Sequence, residues 1–135
     1  MTKIIPTRLR WDVHNELYLT SLEDLESKFD QLEQEARDDQ FPFVVEVLLE
    51  DGHGEGLYVM VGYDYSILQY YSSVTQRVIR SARGNPEDES INVPFSFMGS
   101  YSEPPRSLMI PSEQAYAALK DFVLYKRVPE GIKFE

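Results

Sequence analysis

Two stretches of the chain repeat apolar residues at helical spacing. Leu22, Leu25, Phe29, Leu32 and Ala36 make one stripe, backed by Glu23, Glu26, Asp30 and Glu33. Ser21 and Asp24 ahead of it have capping-box spacing, so a helix is predicted from Ser21. Ala115, Ala118, Leu119, Phe122 and Val123 make the second stripe, with Ser112 as the predicted N-cap and Pro129 past the end. Between the helices the pattern shortens. Phe43–Leu49 and Leu57–Val61 are β-favouring runs separated by the glycine-rich turn Asp51–Gly56, which predicts a hairpin. Gly62–Tyr65 is a further turn. Strands are predicted at Ile67–Tyr71, Gln76–Arg80 and Ile91–Phe97, where Pro94 argues for an edge or a bulge. A first strand is predicted near Arg8–Trp11 and a last one at Ile132–Phe134. The sum is an α+β fold: a largely antiparallel sheet with two helices packed on one face.

The length of 135 residues fits one domain, 1–135, with 42% hydrophobic and 27% charged residues. No apolar run approaches the roughly 20 residues that span a bilayer, and the N-terminus lacks the pattern of a secretory signal. There is no cysteine, which excludes disulfides and thiolate chemistry and suits the cytoplasm. The formal charge is −10. Such a surface repels nucleic acid and anionic membrane and favours a basic protein partner.

Catalytic chemistry finds little footing. His14 and His53 sit in loops without metal-ligand spacing, and no Gly-x-Ser-x-Gly elbow marks a nucleophile. No cofactor or metal is expected. Gly52, Gly54 and Gly56 precede a strand, so they lack the helix N-terminus of a phosphate loop. Arg77, Arg80 and Arg83 are expected to pair with the acidic loop Glu87-Asp88-Glu89. Glu46 interrupts an apolar strand and shares a face with Val44 and Leu48; it is read as half-exposed. Tyrosines crowd the middle of the chain, and tyrosine supplies stiff, amphipathic contact area at interfaces.

The order of motifs resembles the Imm1 family of bacterial immunity proteins. It runs through Gly56-Leu-Tyr-Val-Met-Val-Gly62, Leu68-Gln-Tyr70, the strand near Phe95, Pro105–Pro111, the alanine-bearing helix and Pro129-Glu-Gly-Ile-Lys-Phe134. The chain departs from the family pattern in two places. Tyr125–Val128 has no glycine before the late proline, and Phe134 stands where tryptophan is common. The resemblance implies a non-catalytic, intracellular antidote that binds a cognate polymorphic toxin, often a nucleic-acid deaminase, and covers its active site. From exposure and charge alone, the expected partner-binding residues are Asp51, Glu55, Tyr63, Asp64 and Tyr65, all on turns. A monomer is favoured. The competing readings are a small acidic secretion chaperone or other protein-binding module, and an enzyme whose site assembles only in space.

Overall fold

The computed structural model describes residues 1–135. Strands β1 (Lys3–Arg10) and β2 (Glu16–Ser21) form a hairpin, followed by helix α1 (Leu22–Asp38). Then come β3 (Phe43–Leu49), β4 (Glu55–Val61), β5 (Tyr65–Ser66), β6 (Leu68–Ser72) and β7 (Arg77–Ser81). Short strands β8 (Phe95–Phe97), β9 (Ser100–Ser102) and β10 (Ile110–Pro111) lead to helix α2 (Ser112–Tyr125). The main sheet runs β2-β1-β3-β4-β6-β7, antiparallel throughout this path. β8 adds in parallel to the start of β3 and carries β9, while β10 and β5 form a separate two-residue ladder.

Local sequence explains the frame. Ser21 is extended and its Oγ accepts the Asp24 N–H at 3.2 Å, which is the predicted N-cap. The turn between β1 and β2 closes on Asp12, whose carboxylate accepts the N–H groups of His14 and Asn15 at 2.7 and 2.8 Å. Ser112 does not cap α2. It is the first helical residue, and its Oγ donates to the Tyr63 carbonyl at 2.7 Å, tying the helix to the β4–β5 turn. α2 ends on Lys126 in the left-handed region (φ 56°), the conformation that glycine adopts most easily. The strand predicted over Ile91–Phe97 keeps only Phe95–Phe97, and Ile132–Phe134 is reduced to one bridge between Phe134 and Ala82.

The sheet has two unlike faces. Residues Leu9, Val47, Leu57 and Tyr70 stand in register across four strands. They join Leu25, Phe29, Leu32 and Ala36 of α1 and Ala115, Ala118, Leu119, Phe122 and Val123 of α2 in one core. Both helices therefore cover this inner face. Glu33 locks the layer: its carboxylate accepts the Gly62 N–H at 2.6 Å and the Tyr116 hydroxyl at 2.8 Å, and pairs with Arg37 at 2.7 Å.

The outer face is roofed only at one end, where Val44, Met60 and Ile67 pack with Val93, Phe95 and Met109. Further along, the row Arg8–Leu48–Gly56–Tyr71–Val78 points outward, flanked by the row Arg10–Glu46–Tyr58–Gln69. Tyr71 lies across β4 because residue 56 is glycine: a Cβ there would run into Cζ and Oη of the ring. Gly56→Ala should therefore cost about 2 kcal/mol in urea unfolding, within the usual overpacking range. In a Tyr71→Ala background the same change should be near neutral, because the clash is gone. Equal costs in both backgrounds would remove the ring as the cause.

Candidate functional site

The five residues expected to meet a partner fall into two groups at opposite ends of β4. That strand has seven residues, so its ends are about 20 Å apart. Asp51 and Glu55 lie at the β3–β4 turn. Neither is free: Lys126 Nζ sits 2.8 Å from Asp51 and 2.9 Å from Glu55. The Lys126 hydrogen bond holds the Asp51 carboxyl below the usual range, and the same contacts raise the Lys126 ammonium. This cluster fastens the left-handed end of α2 to the sheet. It also explains how the chain does without a glycine at that position.

Tyr63, Asp64 and Tyr65 lie at the other end. Asp64 is 81% exposed and pairs with Arg37 at 3.2 Å. Tyr63 and Tyr65 are half-buried against the outer core, with ring centroids 6.0 Å apart. Arg106 covers them. Its guanidinium stands 4.6 Å from the Tyr65 ring centre and donates to the Tyr63 hydroxyl at 3.4 Å. Two further donations go to Asp88, at 3.0 and 3.1 Å. The acidic loop is thus held by Arg106. The expected pairing with Arg77, Arg80 and Arg83 does not occur: Arg83 pairs with Glu135, and Arg80 lies over Phe134. His14 and His53 are exposed on turns, as expected. No group of three or more His, Cys, Asp or Glu side chains is arranged to hold a metal ion.

Sequence reasoning singled out Glu46 but not its setting. Its side chain is only 14% exposed, on the outer face, 3.5 Å from Arg10. Tyr58 beside it stacks on Tyr71 (4.4 Å between centroids, 14° between planes) and meets Phe97 in a T-shaped contact at 5.1 Å. Glu46, Tyr58 and Tyr71 line a cavity of about 320 Å³ that extends to Gln76, Arg77 and Val78. The hydroxyl of Tyr71 is buried there, facing Glu46 without a well-formed hydrogen bond. Leaving such a group unpaired costs about 1–3 kcal/mol. The signal that could have found this cleft is the register of Gly56 with Tyr71, which appears only when strands are paired.

The model of the family described as Immunity protein Imm1 matches residues 13–135. This chain belongs to the Imm1 family of immunity proteins. The match includes α1 and β2, beyond the stretch from Phe43 whose motifs carry the resemblance. No curated protein matches the sequence. No helix of this Imm1 member is long and apolar enough to cross a membrane.

Two experiments check the local chemistry of this Imm1 protein. Burial, with Glu46, pushes the Tyr71 phenol above the ordinary tyrosine range. Burial with the Glu33 hydrogen bond does the same for Tyr116, and burial pushes Tyr70 up to about 12. A raised folded-state value means the folded chain holds these protons more tightly, so stability is intact below pH 10 and is lost as pH rises through 12. The urea midpoint should stay level from pH 8 to roughly 9.5 and fall above 10, less steeply in Tyr71→Phe. A midpoint unchanged to pH 12 would contradict this. For Lys126→Gly, relief of about 1 kcal/mol of left-handed strain should roughly offset the lost ion pairs. Its melting temperature should match wild type, whereas Lys126→Glu should be clearly destabilised.

Proposed function

We propose that this immunity protein binds the catalytic domain of a cognate toxin and closes its active site, and that the toxin acts on nucleic acid. The observation that carries the reading is the family match over residues 13–135. Electrostatics supports the choice of target. Residues 22–39 hold eight acidic and two basic side chains, a net −6 of the total −10. A chain of this charge is repelled by nucleic acid and attracted to the basic groove in which a nucleic-acid enzyme holds its substrate. The complex forms in the cytoplasm, with the immunity protein as a monomer.

The acidic turn residues Asp51 and Glu55, and the group Tyr63, Asp64 and Tyr65, flank the two ends of β4. A standard interface buries about 800 Å² per partner, roughly 30 Å across, and so can include both flanks. Acidic groups on the flanks speed encounter and fix register; aromatic surface between them slows dissociation.

The direct test is to read the neighbouring genes for a toxin domain and co-express that domain with this chain. Cells should survive only when this chain is present, and the purified pair should bind with an association rate that falls as salt rises. Failure of both survival and binding refutes the reading. Asp64→Lys and Asp51→Lys should each slow association several-fold at low salt, and less at about 0.3 M salt, where the Debye length is short. Unchanged rates would remove those residues from the interface.

A further inference from the structure

Two arginines of this chain are seated the same way. Arg106 lies 4.6 Å from the Tyr65 ring centre and is bound by the Asp88 carboxylate. Arg127 lies 4.8 Å from the Tyr125 ring centre, with Asp121 at 3.3 Å. In both, a tyrosine face supports the flat guanidinium and a carboxylate takes its N–H groups. The guanidinium suits this seat, being planar, weakly hydrated and rich in donors.

The outer-face cleft contains the tyrosines and the carboxylate of a third seat, but no cation lies over its rings. Tyr58 and Tyr71 provide stacked aromatic surface, and Glu46 provides a recessed carboxylate. Arg10 approaches Glu46 only from the β1 side, at 3.5 Å, longer than a tight charge-assisted hydrogen bond. A carboxylate offers about four lone-pair sites, so Glu46 keeps acceptor capacity. The Tyr71 hydroxyl, in a residue 6% exposed, faces Glu46 but makes no well-formed hydrogen bond. Arg8 is engaged by Glu50 at 3.2 Å and Glu16 at 3.7 Å and does not fill the cleft. At the rim, Val78 is 47% exposed and offers apolar contact to a protein surface.

We propose that the cleft between Glu46, Tyr58 and Tyr71 receives an arginine side chain from the substrate groove of the toxin, making this uncovered half of the sheet the centre of the interface. The inference rests on the toxin-binding reading above. Tyr58 stands midway along β4, between the two flanking groups. The guanidinium stacks on Tyr58, donates to Glu46 and to the Tyr71 hydroxyl oxygen, and displaces Arg10 toward solvent. The acidic back of α1 lies on the far side of the sheet. It adds to the overall attraction for a basic partner, while the cleft selects the contact.

The experiment measures binding of the full chain to the catalytically inactivated form of that toxin domain, with thermal melts to confirm that each variant folds. Glu46→Gln should weaken binding at least tenfold, mainly through faster dissociation. Tyr58→Ala should do the same, and Tyr71→Phe should weaken it several-fold. Arg77→Ala should leave binding equal or tighter, because Arg77 repels a cation at the rim. N-acetylarginine methylamide at millimolar concentration should perturb the ring resonances of Tyr58 and Tyr71 in wild type and not in Glu46→Gln. The norleucine analogue should have no effect. Wild-type binding by Glu46→Gln and Tyr58→Ala overturns this inference and leaves toxin binding standing. Loss confined to Asp30→Lys on α1 overturns it in the same way. Loss in Arg77→Ala alone also overturns it and assigns the cleft to an acidic group. No binding by wild type overturns both readings.

Discussion

The ring of Tyr71 crosses β4 because position 56 has no side chain, and the character of the outer sheet face follows from that. With a Cβ at residue 56 the ring would be lifted from the strand. Flat against the backbone, it covers Gly56 and offers its face to Tyr58. One missing side chain thus turns what could have been a solvated polar face into an aromatic platform beside a recessed carboxylate. The cross-strand pairing that permits it is the usual rescue of a glycine by an aromatic neighbour, in which the ring replaces contacts that glycine cannot make.

Much of the fold was legible in the sequence because it is written in local periods. The α1 stripe, the Ser21 cap, β3 and the β3–β4 hairpin depend only on neighbours a few residues away. β2 was missed although Leu17 and Leu19 alternate with Tyr18 and Thr20. The strand follows a turn closed by Asp12, and its outward residues are exposed, so it lacks the apolar run that marks β3. Serine before a helix usually caps it, but the Ser112 hydroxyl donates instead to the Tyr63 carbonyl 49 residues away. The three arginines were matched to the nearest acids in sequence. The competing base, Arg106, arrives from 18 residues further on and holds Asp88 with two bonds.

The site was legible only in part, for the same reason. Glu46 stood out as a charge within an apolar strand. Its neighbours Tyr58 and Gly56 come from β4, and Tyr71 comes from β6. The turn acids looked free because nothing nearby in sequence opposes them. Lys126, 75 residues beyond Asp51, was not foreseeable as their partner. Exposure and charge describe single residues, whereas an interface is a property of rows.

The distribution of order in this fold bears on how such a protein can hold a partner. The outer-face groups project from β1, β3, β4 and β6, interior strands braced from behind by both helices through the larger core. Glu33 adds a polar lock between α1, α2 and the β4–β5 turn. Groups carried on such a frame lose little freedom when a partner docks, so less of the contact energy is spent on ordering them. The flanking turns are also tied, by Lys126 at one end and by Arg37 and Arg106 at the other. The chain therefore presents a surface that is already formed, with the recessed Glu46 carboxylate and the stacked Tyr58 and Tyr71 rings near its middle.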